Sequence, residues 1–159
     1  MLLHDQHFRG VENLLYEWAR AVDENRVEDI CGLLHDEGRY RVQSRFNADR
    51  GLPHCLMDAQ SAAQLRDRIK SMRLANIYEP QHYRHMVSGV QIVGGDGALL
   101  QVRSNFLVVR TLDLDGDMKV FAAGQCEDVV DVGGAQPLFR SRHFKLDSRV
   151  VETLMVIPL

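Results

Sequence analysis

Apolar residues near the start of the chain recur at helical spacing. Leu14, Leu15, Trp18, Ala21 and Val22 make one stripe, with Glu12, Glu17, Arg20 and Asp23 on or beside the wet side, and this predicts a first helix. Asn25, followed three residues later by Glu28, has the form of an N-cap with a reaching carboxylate. Val27, Ile30, Cys31 and Leu34 then repeat on one face, predicting a short second helix that ends near His35 to Gly38. Tyr40 and Val42 alternate with Arg39, Arg41 and Gln43, as in a half-buried strand, before a polar irregular stretch from Asn47 to Gln60. Ser61 and Gln64 form a second capping-box pattern. It opens a third helix with Leu65, Ile69 and Met72 on one face, closed before Tyr78 to Gln81 because Pro80 cannot continue it.

From there the period changes from about 3.6 to two. The alternation predicts strands over His82 to Val93, Ala98 to Asp113, Met118 to Asp131, Pro137 to Lys145 and Arg149 to Ile157. Turns are expected at Gly94–Gly97, Leu114–Asp117, Gly133–Gly134 and Asp147–Ser148. Helices segregated from a run of long strands define an α+β domain, here a single domain over residues 1–159. Strands this long twist strongly, so a mixed or antiparallel sheet should curve around the three helices as a cone. That is the architecture of the nuclear-transport-factor-2-like, or cystatin-like, superfamily, which hosts enzymes, binding modules and structural subunits alike.

Composition narrows the partners. Basic and acidic residues nearly balance at 19 and 22, net charge −3, and no basic stripe is present to neutralise phosphates, which argues against nucleic acid. Arg140, Arg142 and Lys145 are the one local cluster, and a solvated or ion-paired strand face accounts for them. Cys31, Cys55 and Cys126 are odd in number and widely spaced, which excludes a disulfide framework and reads as thiols in a reducing cytosol. His4, Asp5, His7 and Arg9 occupy the place of a signal peptide's apolar run, and no stretch reaches the length of a membrane span, so a cytoplasmic location is expected.

Three segments carry a family resemblance. Val11–Ala19 is similar to the acidic, aromatic-rich opening helix of the β subunits of aromatic-ring-hydroxylating dioxygenases of the benzoate, anthranilate, naphthalene and salicylate-hydroxylase kind. Tyr83–Arg84–His85–Met86–Val87–Ser88–Gly89–Val90 resembles their Arg-His-Leu/Ile-Val-Ser-Asn-Val strand, with Met86 and Gly89 as departures. Arg140–Arg149, leading into Leu154–Leu159, resembles their C-terminal run. The resemblance implies a structural, non-catalytic small subunit in the degradation of aromatic compounds. Such subunits form a homotrimer within an α3β3 hexamer. The α subunits there hold a Rieske [2Fe–2S] cluster and a mononuclear iron, and NADH-derived electrons reach them through a reductase and often a ferredoxin. The apolar C-terminal tail, or the sheet edge beside it, is expected to lie against a partner subunit, the alternative being a last strand packed in its own sheet.

The residues themselves offer no Rieske set, because the cysteines are solitary. His82 and His85 with Glu79 form no convergent iron site either, since i and i+3 on a strand face opposite ways; His4 and His7 fall in a terminus expected to fray, and His35, His54 and His143 have no partners at ligand spacing. No catalytic, cofactor or metal residue is therefore assigned. Arg84, His85, Arg140, Arg142, Asp147 and Arg149 are the candidates for a partner interface, where guanidinium groups pair well with carboxylates and backbone oxygens. One rival is a free-standing dehydratase or isomerase, with His85 oriented by Asp23 or Asp29 and Tyr16 or Tyr40 polarising a carbonyl; another is a small-ligand binding module. Glycines 94, 95 and 97 precede a strand, so they form a turn and no phosphate cradle.

Overall fold

A computed structural model describes residues 2–75, 78–151, 155 and 157–159, with residues 2–4 described by their backbone alone. Helix α1 runs over Leu2–Asp23, so the terminus expected to fray is helical and carries His7 within it. Its end differs from the expected pattern. Asn25 takes the left-handed conformation at φ 59°, and Asn25 N–H bonds the Val22 carbonyl while Arg26 N–H bonds that of Ala21. Those two bonds are a Schellman cap, so Asn25 closes the first helix and does not start the second. Its side chain and Glu28 both bind Arg73. The second helix is a 3₁₀ helix over Val27–Leu33, and the chain turns into strand at Leu34, so His35 to Gly38 belong to β1, Leu34–Ser44.

The stretch from Asn47 to Gln60 is more ordered than its composition suggests. It shares a short helix, α2 (Arg45–Asp49), capped by the Ser44 hydroxyl, and contains a strand, β2 (Met57–Ala59). Helix α3 spans Ala62–Leu74, and its cap forms as the sequence predicts: Ser61 Oγ accepts from Gln64 N–H, while the Gln64 side chain reaches back to Gln60 N–H.

Four long strands follow: β3 (Gln81–Asp96), β4 (Leu99–Leu112), β5 (Met118–Asp131) and β6 (Leu138–Leu146). The six described strands form one sheet in the order β2-β1-β6-β5-β4-β3, antiparallel throughout except that β1 runs parallel to β6. The architecture is thus α+β with a mixed sheet. Four described helices accompany it, one more than the sequence suggests, because α2 lies hidden in a polar stretch.

Two backbone features set the register. At Gly89, φ +61°, the β3–β4 ladder shifts, so outward positions pass from Met86 and Ser88 to Gln91 and Val93. At Gly124 a Cβ would run into the carbonyl of Lys145, so only glycine lets β5 and β6 approach there.

Helix α1 covers the inner face of the sheet. Val11, Leu15, Trp18 and Val22 pack with Tyr40, Val42, Phe139 and Phe144, all buried, and Trp18 meets Phe139 edge to face at 5.4 Å. The residues expected to make a strand over Arg149 to Ile157 do not pair with the sheet where they are described; Glu152, Thr153, Leu154 and Val156 lie outside the described residues. Instead Met155, Ile157 and Leu159 are buried in the chain's own core. Trp18 Nε1–H donates to the Leu159 carbonyl at 2.8 Å, and Leu159 N–H donates to the Tyr40 hydroxyl at 2.9 Å. The tail therefore satisfies polar atoms of the interior, and Met155, Ile157 and Leu159 face the chain's own core and not the partner surface expected of the tail.

Candidate functional site

The acid–base pair that the sequence allows is present. His85 Nδ1 lies 2.6 Å from Asp23 Oδ1, and the His85 backbone N–H donates to Asp23 Oδ2 at 2.9 Å. Both carboxylate oxygens at the end of α1 thus hold one residue of β3. The two side chains are 2% and 6% exposed. The partners expected around them are turned elsewhere: Asp29 pairs with Arg26 at 2.6 Å, Tyr16 donates to Glu12, and Tyr40 bonds the Leu159 main chain. This geometry fastens α1 to the sheet.

The interface candidates separate by face. Arg84, Asp147 and Arg149 are exposed, and Arg140 is partly so, 3.6 Å from Asp131. Asp147 pairs with Arg45 at 3.2 Å, and Arg149 lies 4.2 Å over the Phe46 ring, so both hold the C-terminal corner against α2. Arg142 points inward at 2% exposure, its guanidinium within 5 Å of the rings of Trp18, Phe139 and Phe144. The His85 ring is likewise internal, so the Arg142 and His85 side chains face the core and not a neighbour. Across the sheet from Arg142, burial pushes the Asp128 carboxyl up to about 6, against the opposing pull of the Arg142 charge.

The outer face of the sheet has two zones. At the β3–β5 end, Met86, Met118 and Val120 are more than half exposed, and the register sets them around Arg84, Leu107 and Val109. The patch is apolar and spans three strands, and clustered exposed apolar side chains are a general mark of contact sites.

Toward β1 the same face is polar. The ladder places Arg41, His143, Glu127, Arg103 and Gln91 in one row across five strands. A cavity of about 460 Å³ opens on this row, walled also by Gln101, Val93 and Val129. Glu127 is taken by Lys145 at 2.7 Å, and Arg39 holds Asp58 through two bonds of 3.1 and 2.8 Å. The Gln43 amide donates to the Leu52 carbonyl, which fixes its oxygen to accept from His143 Nε2 at 2.9 Å. Burial, then the charges of Arg41 and Lys145, push His143 down to about 4. In the sequence Arg39, Arg41 and Gln43 read only as the polar side of a strand; that Gln43 bonds His143, and that Arg41 shares a cavity with His143 and Arg103, depends on non-local register.

His82 pairs with Asp113 at 2.6 Å on the side of β3 away from His85, as the strand period requires. Among the described residues no three His, Cys, Asp or Glu side chains are grouped to hold a metal ion.

Residues 17–153 match the family described as ring hydroxylating beta subunit. The anthranilate 1,2-dioxygenase small subunit of Burkholderia cepacia is 33% identical over 138 residues, 87% of this chain and 85% of that one. The terephthalate 1,2-dioxygenase terminal oxygenase component subunit beta 1 of Comamonas sp is 32% identical over 142 residues, 89% of this chain and 92% of that one. A solved β subunit assigned to an aromatic-ring-hydroxylating dioxygenase of Novosphingobium aromaticivorans superposes with a TM-score of 0.86 at 27% identity, covering 95% of both chains.

Proposed function

The chain belongs to the ring hydroxylating beta subunit family, and from that premise we propose that it is the structural small subunit of a multicomponent aromatic-ring-hydroxylating oxygenase. In this reading all 159 residues act as one domain, its sheet curved as a cone around the helices, in the cytoplasm. No described helix is long and apolar enough to cross a membrane. Three copies would stand beneath three α subunits. A Rieske cluster and a mononuclear iron in those subunits supply electron transfer and dioxygen activation, while this chain supplies a rigid footing.

The observation that carries the reading is the exposed apolar end of the outer face, Met86, Met118 and Val120 around Arg84. Apolar area there gains by leaving water, and Arg84 supplies a directional donor at its centre. Arg140, Asp147 and Arg149 are proposed as further contacts.

Co-expression with a Rieske-type large subunit tests the proposal. The two chains are expected to co-elute in fixed ratio, and Val120→Glu, which leaves the core untouched, is expected to cut recovery of the complex by about tenfold or more, a loss of roughly 1.4 kcal/mol. A stable monomer that ignores the large subunit would sink the reading.

A further inference from the structure

The polar row on the outer face has no part in the fold's core and none in the apolar contact zone, yet it is organised. Its one acid, Glu127, is engaged by Lys145, and beside the row Asp58 is engaged by Arg39. Among the described residues, the Arg103 guanidinium hydrogen-bonds only the amide oxygen of Gln91, at 2.9 Å. The Arg41 guanidinium makes no hydrogen bond or ion pair with any described residue, and its Nε is shielded from water without an acceptor. The cavity is thus lined by two guanidinium groups that make no ion pair with a described residue, beside Glu127, which Lys145 engages, and Asp128. Burial, and then the charge of Arg39, lower the Arg41 pKa, so an entering anion relieves an existing cost.

The neighbouring imidazole adds a second constraint. Because Gln43 takes the Nε2 proton of His143, the Nδ1 of the neutral ring is left as a lone-pair acceptor. Arg41 and His143 are direct cross-strand partners, so one small molecule reaches both. Val93 and Val129 offer it apolar walls.

We propose that this cavity binds a small organic acid bearing a hydroxyl group, its carboxylate on the Arg41 guanidinium and its hydroxyl donating to Nδ1 of His143. The site is independent of assembly and stands or falls apart from the subunit reading.

Titration of the purified full chain with 3-hydroxybutyrate, butyrate and 3-hydroxybutanamide, followed by the ¹⁵N shift of His143 Nδ1 and by calorimetry, tests it. Saturable binding is expected for the hydroxy acid, weaker binding for butyrate, and none for the uncharged amide. Arg41→Gln is expected to weaken hydroxy-acid binding by about tenfold or more, the loss of a charge-assisted contact, with the melting temperature as a control for folding. Arg103→Gln, three strands away from Arg41 along the row, gives a second variant with a smaller expected loss. An absent or non-saturating His143 response, equal response to acid and amide, or binding unaffected by Arg41→Gln in a folded variant would each overturn the proposal.

Discussion

Gly89 shows how a departure in sequence preserves a backbone. The β subunits that this chain resembles carry Asn at that place in the Arg-His motif, and here the residue sits at φ +61° on a bulge. Asn and Gly are the residues that tolerate this region, so the exchange keeps the bend that resets which side chains of β3 face outward. Asp23 acts at the same scale. Both of its oxygens bind His85, and an Asn would turn an NH₂ group toward one of the two donors. Asp23→Asn should therefore cost about 1–3 kcal/mol, seen as a fall of roughly 2–4 °C in melting temperature per kcal/mol. His85→Ala should cost less in that background than in the parent. Additive effects would show that the two residues do not act as a lock.

Two buried groups oppose each other in acid. Asp128 titrates higher folded than its ordinary 3.8, at about 6, so its contribution is fully present below 3.8 and lost as pH rises through about 6. His143 titrates lower folded than its ordinary 6.5, at about 4, so its contribution is present above 6.5 and lost as pH falls through about 4. Removing either should expose the other. Asp128→Asn is expected to lose melting temperature more steeply than the parent from pH 6.5 to 4, and His143→Gln less steeply. Identical slopes in all three proteins would refute the assignment.

Among elements, those governed by local chemistry were legible in the sequence. The Ser61–Gln64 cap, the α1 stripe and the strand alternation each depend on neighbours a few residues away, and each is found. Elements fixed by distant contacts were not. Helix α2 has no apolar stripe of its own and rests on a Ser44 cap and the Phe46 contacts with Arg50 and Arg149. The tail alternates like a strand, yet Trp18 and Tyr40 draw its end into the interior, a contact spanning 141 residues for Trp18. Leu159→Ala should accordingly cost about 2–5 kcal/mol, a core-sized loss measurable by urea unfolding. A change under about 0.5 kcal/mol, the scale of surface substitutions, would place that residue outside the core.

For the molecule as a whole, the sequence conveyed the α+β class, because helix and strand periods fix which side of each element is dry, and it offered Asp23 or Asp29 for His85 without deciding between them. It did not convey the polar row on the outer face. Arg41 joins His143 only because β1 returns parallel to β6, and Arg103 joins Gln91 only because of the shift at Gly89. Such a row is a product of topology, assembled from five strands that each look ordinary alone.

Trp18 is the chain's single tryptophan, and its indole N–H is spent on the carbonyl of Leu159. The molecule consequently carries its own optical gauge: undocking the last residues would hydrate that indole and redden its emission, reporting on the tail without any added label.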